Sequence, residues 1–341
     1  MSTLQMKTLH LILSLAFVIL PPAFAQEKKP KKKSPADLNA AEIGSQKPMG
    51  EVHVYKTVEG RELKLYVLKP ANWKATDKRP AIVFFHGGGW MIGKGQPSQF
   101  NYQGKYLSTR DMVSIQVQYR LIADNRKEAP LGACQDAKSA MRWVRSHAAE
   151  LGIDPARIAS GGGSAGGHLA AFVGMVEGTD DPQDDLKVSC RPAAMVLYNP
   201  ALLHGDTLAN NASDTRKRGV TSQLFEAYKK ISPYASVSSD DPPGIILVGS
   251  EDKVLPQDAL ISFQHNCKAA GVRMDAVVYP GEGHSFFGLK RSLDRFYDTT
   301  VEMDKFFGSL GWLNGPPTLT KQDVKAYATE AAQNSQPKKA K

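Results

Sequence analysis

GGGSAGGHLA, residues 161–170, sets one serine among five glycines immediately before an apolar run. Glycine loses the most backbone freedom on ordering, so such a run is poor material for a strand or a helix. Within it, Gly162-Gly163-Ser164-Ala165-Gly166 has the spacing G-x-S-x-G. RIAS (157–160) before it reads as a strand, and AGGHLAAFVGMV (165–176) after it as a helix. A sharp strand-to-helix turn holds the serine in a strained conformation. The glycines avoid collision there and leave the hydroxyl open to a reacting partner.

Outward from this turn, strand-like and helix-like segments alternate. EVHVYKTV (51–58) and ELKLYVLKP (62–70) alternate apolar and polar residues, as a half-exposed antiparallel pair joined through Glu59-Gly60-Arg61 does. AIVFF (81–85), MVSIQVQY (112–119), RIAS, AAMVLYN (193–199), GIILVG (244–249) and MDAVVYP (274–280) are more continuously apolar, as strands covered on both faces are. Between them, LGACQDAKSAMRWVRSHAAELG (131–152), PQDALISFQHNCKAAG (256–271) and SLDRFYDTTVEMDKFFGSLG (292–311) carry helical spacing. The order predicts an α/β class: a mostly parallel sheet with helices on both faces. The connection from Asn199 to Gly244, about 44 residues, is too long for a simple crossover. It carries HGDTLANNASDTRKRG (204–219) and a predicted helix, TSQLFEAYKKIS (221–232), and reads as a lid insertion over about 200–243.

The ends differ in character. Lys7 and His10 precede LILSLAFVIL (11–20), and Ala23-Phe24-Ala25 supplies small residues for cleavage. Residues 1–25 therefore read as a secretory signal peptide, which predicts a secreted or periplasmic protein. Residues 26–48 read as a basic disordered linker, 49–314 as the folded domain, and 315–341 as a polar C-terminal tail with a short helix around QDVKAYATEAA (322–332). Most of the net charge of +9 lies in Lys7, in the six lysines against three acids of 26–48, and in Lys338, Lys339 and Lys341. The body is nearly neutral, which argues against nucleic acid as a partner. The basic tails suit an anionic envelope or a polysaccharide. Cys134, Cys190 and Cys267 show no metal-ligand spacing, and an odd count allows at most one internal disulfide, whose pairing the sequence leaves open.

Three further segments match the serine. FFHGGGW (84–90) ends a strand, and its glycines let several backbone N–H groups turn into one concavity, with the N–H of Ala165 beside it at a helix start. Donors fixed around a developing oxyanion typically contribute ~10²- to 10³-fold each. EGHSFFG (282–288) places His284 just after the last strand. The other histidines fall in the signal, the glycine loop, strands, helices or the lid, so His284 is the candidate base. VGSEDKVLP (248–256) places Asp252 just past GIILVG, where a carboxylate holds the imidazole in one tautomer; Glu251 and Asp258 are the alternatives. Trp90, Met91, Phe286 and Phe287 flank these motifs and are candidates for lining an acyl pocket.

Carried by HGGGW, QYRL (118–121), CQDAKSAMRWVRSHA with GIDPARIA after it, GGSAGGHLA, EDKVLP and GEGHSFF, the chain resembles α/β-hydrolase-fold carboxylesterases, near the hormone-sensitive-lipase-like esterases and the bacterial acetyl xylan or feruloyl esterases. The resemblance covers roughly residues 50–312. It implies an oxyanion hole from the amides of Gly88, Gly89 and Ala165, with Gly87 as a substitute for one of the first two. Gly163 stands where the lipase-like group carries an acid, and Glu251-Asp252-Lys253 where it carries Asp-Pro-Leu; both departures favour small polysaccharide esterases. The expectation is an exported serine esterase, without metal or organic cofactor, that takes a small ester or an acylated carbohydrate. A prolyl-oligopeptidase-like peptidase and a non-catalytic binding protein on the same fold are the competing expectations.

Overall fold

The computed structural model describes residues 46–202, 222–255 and 257–335. The signal segment, residues 26–45 of the linker, residues 203–221 of the insertion and residues 336–341 lie outside the described residues.

Among the described residues eight strands form one sheet: β1 (Glu51–Val58), β2 (Arg61–Leu68), β3 (Arg79–Phe85), β4 (Val113–Val117), β5 (Ile153–Gly163), β6 (Ala194–Tyr198), β7 (Gly244–Gly249) and β8 (Met274–Tyr279). Their order is β1-β2-β4-β3-β5-β6-β7-β8. The β1–β2 and β2–β4 pairs are antiparallel and all others parallel. This is the architecture of the α/β-hydrolase fold, as the sequence predicts. β3, β4, β6 and β7 are almost wholly buried, in keeping with their continuous apolar runs.

Helices cover both faces. On one lie α2 (Leu131–Ser146), α3 (Ala165–Met175) and α5 (Gln257–Ala269), which bury Ala137, Met141, Leu169, Phe172 and Phe263. On the other lie α1 (Asn101–Thr109), α6 (Leu293–Ser309) and α7 (Lys321–Gln333), which bury Tyr106, Leu107, Phe296, Phe307 and Val324. A shorter helix, α4 (Ser222–Lys229), follows the undescribed part of the insertion.

The C-terminal segment expected as a polar tail over 315–341 is folded through residue 335. Val324, Tyr327, Ala328 and Ala331 recur at three- and four-residue spacing and are all buried, so α7 belongs to the core of the second face. Thr320 and Asp323 close its start with a reciprocal capping box. Ahead of it, Arg110 binds both oxygens of the buried Asp304 and also the carbonyl of Gly315, and the Tyr106 hydroxyl accepts from the Thr318 N–H at 3.1 Å. The end of the linker is docked as well: Gln46 Nε2 donates to Ala331 O at 2.7 Å, and Asn101 binds Lys47 O and the Met49 N–H. Residues 46–48 and 315–335 thus belong to the folded body. The three cysteines are buried free thiols.

Candidate active site

The glycine-rich stretch does not interrupt β5. It continues the strand through Gly163, with Gly162 opposite Phe85 on β3 and Gly163 opposite Tyr198 on β6. Glycine is required there by close approach. A Cβ at Gly162 would lie 2.3 Å from Gly166 O, and one at Gly163 2.4 Å from the Phe287 ring. Ser164 then turns with φ +56° and ψ −119°, a conformation that side-chain-bearing residues rarely adopt, and α3 starts at the next residue. The turn is held by Ser164 N–H to Tyr198 O at 2.9 Å and by the N–H groups of His168 and Ala201, both donating to Ser164 O. Ser164 keeps partial exposure while its flanking residues are buried.

Ser164 Oγ lies 2.9 Å from His284 Nε2, and His284 Nδ1 lies 2.8 Å from Asp252 Oδ2. The three residues follow β5, β7 and β8, so each stands beyond the carboxyl end of a parallel strand, at one edge of the sheet. The Asp252 side chain is fully buried and that of His284 is one-fifth exposed. Burial alone would raise the Asp252 carboxyl. The hydrogen bond from His284 and the Leu255 and Val254 amides donating to Oδ1 outweigh it, and hold the group below its ordinary value. An ionised Asp252 fixes the proton on Nδ1, leaving Nε2 to accept from the serine hydroxyl.

Three other histidines are held in structural contacts. His86 stacks on Tyr119, and His168, fully buried, holds Ile231 O through Nε2 at 2.7 Å. Burial pushes both imidazoles down to about 4. His147 stacks on Trp143.

The loop after β3 approaches the nucleophile. Gly87 is buried, and a Cβ on it would sit 3.4 Å from Ser164 Cβ. Its N–H donates to Gln99 Oε1 at 2.6 Å, so that amide is engaged elsewhere. Gly88 and Gly89 follow at φ +111° and +63° and are partly exposed. Successive amides in such a turn form a concavity for an anion. The Ala165 N–H, at the first position of α3, has no partner within its own helix.

The four pocket candidates divide. Phe287 is buried between Phe100 and Tyr198, with ring centroids at 5.8 and 4.6 Å, and Phe286 packs on Tyr279 at 4.8 Å. Trp90 is 5% exposed and meets His168 edge-on at 5.2 Å. These three are core, because the large rings that follow the motifs fill the space beneath them. Met91 alone keeps partial exposure beside the glycine loop.

Three functional neighbours escaped the sequence reading. Asn199 follows β6, is fully buried, and donates from Nδ2 to Asp252 Oδ2 at 2.6 Å. A polar residue at the carboxyl end of an otherwise apolar strand was the signal for it. Gln99 holds Gly87, and Asn125 Nδ2 donates to Gly89 O at 3.3 Å. Gln99 lies in a single 3-10 turn and Asn125 in a loop, and neither polar stretch has a periodicity to single it out.

Comparison with known proteins finds esterases. The BD-FAE family model matches residues 65–266, more than half of the chain, and the dienelactone hydrolase family model matches residues 225–314. The chain is similar to esterase 2 of Thermogutta terrifontis. The propionate-bound structure is 40% identical with a TM-score of 0.70, and covers 78% of this chain and 96% of that one. The butyrate-bound structure is 39% identical at the same TM-score and coverage. "Probable isoprenylcysteine alpha-carbonyl methylesterase" of Arabidopsis thaliana is 28% identical over 251 residues, which is 68% of this chain and 50% of that protein. The chain spans about half the length of the first curated relatives that it matches.

Proposed function

The chain belongs to the BD-FAE family, and from that premise we propose that it is an exported serine carboxylesterase that hydrolyses short-chain acyl esters, acetyl above all, on a carbohydrate or a similar small alcohol. The observation that carries the reading is the hydrogen-bonded line Ser164–His284–Asp252, at 2.9 and 2.8 Å, with the glycine loop packed against Ser164 at Gly87; the amides of Gly88, Gly89 and Ala165 are the donors the reading assigns to the oxyanion. The esterase 2 structures with propionate and butyrate bound support a short acyl group.

The chemistry follows from those positions. Ser164 Oγ attacks the ester carbonyl carbon as its proton passes to His284 Nε2, and the amides hold the carbonyl oxygen as it becomes an oxyanion. The bond to the alcohol oxygen then breaks, and Nε2 returns the proton to that oxygen. Water attacks the acyl carbon next, giving its proton to Nε2. The Ser164–acyl bond breaks, and the proton goes back to Oγ. Asp252 stays ionised throughout and stabilises the imidazolium.

Turnover of p-nitrophenyl acetate, butyrate and octanoate beside acetylated and feruloylated oligosaccharides tests the substrate. The reading expects rates that fall beyond butyrate and release of acetate from the oligosaccharide; a preference for octanoate contradicts it. Export is checked on protein secreted by the native host, whose mature N-terminus is expected at Gln26. The basic tails, residues 26–45 and 336–341, then serve as a tether to an anionic envelope or polymer, and deleting them is expected to lower retention without changing turnover of the soluble ester.

A further inference from the structure

The loop that carries Gly88 and Gly89 is not free-standing: the segment after it, Met91–Gln99, is folded back against its outer side. Gly95 rests directly on it, since a Cβ there would lie 1.8 Å from Gly87 O and 2.4 Å from His86 Nδ1. In turn, a Cβ on Gly88 would lie 2.6 Å from Gly95 N. At Gly87 O and Gly95 N the contact is backbone on backbone and leaves no room for adjustment. Gln99 follows within a single 3-10 turn, Pro97–Phe100, whose Phe100 is fully buried and stacked on Phe84 at 4.5 Å. From that anchored turn its Oε1 takes the Gly87 N–H at 2.6 Å.

We infer that Gln99 is a positioning residue for the oxyanion-binding loop: by accepting the Gly87 N–H it fixes the His86–Gly87 peptide plane and assigns the next two amides, Gly88 and Gly89, to the substrate oxygen. The inference rests on the esterase reading above. The physical reason is that a peptide plane in a glycine turn rotates at low cost, whereas a donor must point at the developing oxyanion before reaction to be effective. Gln99 does not touch the substrate. Its effect is therefore confined to the transition state and leaves ground-state binding nearly unchanged.

The test compares wild type with Gln99→Met, which keeps the length and loses the acceptor. Two readouts are taken: kcat and KM on p-nitrophenyl butyrate, and hydrogen exchange of the Gly87 amide by NMR. The expected result is a kcat lower by ~10- to 100-fold with KM within about threefold, and faster exchange at Gly87. A kcat within about twofold of wild type, or a loss carried wholly in KM, overturns the inference. A wild-type protein no faster than Ser164→Ala instead refutes the esterase reading. In that outcome the exchange readout still decides the inference, and an unchanged Gly87 amide overturns it.

Discussion

Asn199 Nδ2 donates to Asp252 Oδ2 at 2.6 Å, the same oxygen that His284 Nδ1 approaches at 2.8 Å. One carboxylate oxygen is thus held from two sides, while the other takes the Val254 and Leu255 amides at 2.8 and 2.9 Å. The carboxylate plane is fixed before the imidazole meets it. Asn199 sits at φ +40°, a region that asparagine enters more easily than most residues. Asn199→Ala is expected to lower kcat per folded enzyme roughly tenfold with little change in KM, because a misplaced imidazole slows proton transfer. Steady-state kinetics with an active-site titration checks this; an unchanged kcat removes Asn199 from the account.

The turn at Ser164 depends on backbone contacts that cannot yield. A Cβ at Gly166 would lie 2.0 Å from Phe85 O and 2.6 Å from His86 O, both main-chain atoms. Gly166→Ala is therefore expected to destabilise the fold by ~3 kcal/mol or more, or to abolish soluble expression. Gly178→Ala, with nothing within 4 Å of its Cβ and φ +69°, is expected to cost only the local strain of about 1–2 kcal/mol. Equal denaturation midpoints for the two variants would contradict the close-approach argument.

Acid is expected to weaken the fold through two buried histidines that take no part in the proton relay. Burial brings His86 and His168 down to about 4, while an unfolded imidazole titrates near ~6.5. Between these values the unfolded chain takes up protons that the folded chain refuses. Stability is therefore full above pH ~6.5, falls as the pH drops from there, and levels near pH ~4, on the order of 3 kcal/mol for each group. Denaturant midpoints from pH 7.5 to 4 check the slope, and His168→Gln is expected to flatten it. The same slope in the variant would refute the assignment.

The C-terminal segment is expected to be indispensable. Ending the chain at Leu313 removes α7 and uncovers the face on which Val324, Tyr327 and Ala331 pack, whereas ending it at Ser335 leaves every described contact in place. The first truncation is expected to melt many degrees lower and the second like the full chain. Equal melting temperatures would show that α7 adds nothing to the core.

The two segments read least well share a physical cause. All eight strands were legible: the covered ones read as largely unbroken apolar runs, as AIVFF and GIILVG do, and the half-exposed β1 and β2 read by their alternation of apolar and polar residues. Ser164, His284 and Asp252 were legible because each follows such a run. α7 was taken for part of a tail because its buried stripe is one valine, one tyrosine and two alanines in a polar, lysine-rich context. α1 passed unread because half of its buried positions, Asn101, Gln103 and Gly104, are polar or featureless, and only the neighbouring elements make them interior. Phe286 and Phe287 follow the histidine in sequence, yet their rings point beneath the sheet edge; adjacency along the chain carried no information about direction.

Hydrolysis at this site depends first on the Ser164 hydroxyl being an active nucleophile. Incubation of the folded chain with a fluorophosphonate, followed by peptide mass analysis, measures it directly. The expected result is one adduct per chain, on Ser164, lost in Ser164→Ala and in His284→Ala, with p-nitrophenyl butyrate turnover vanishing in parallel as the label accumulates. An unlabelled Ser164, or full turnover after complete labelling, contradicts the account.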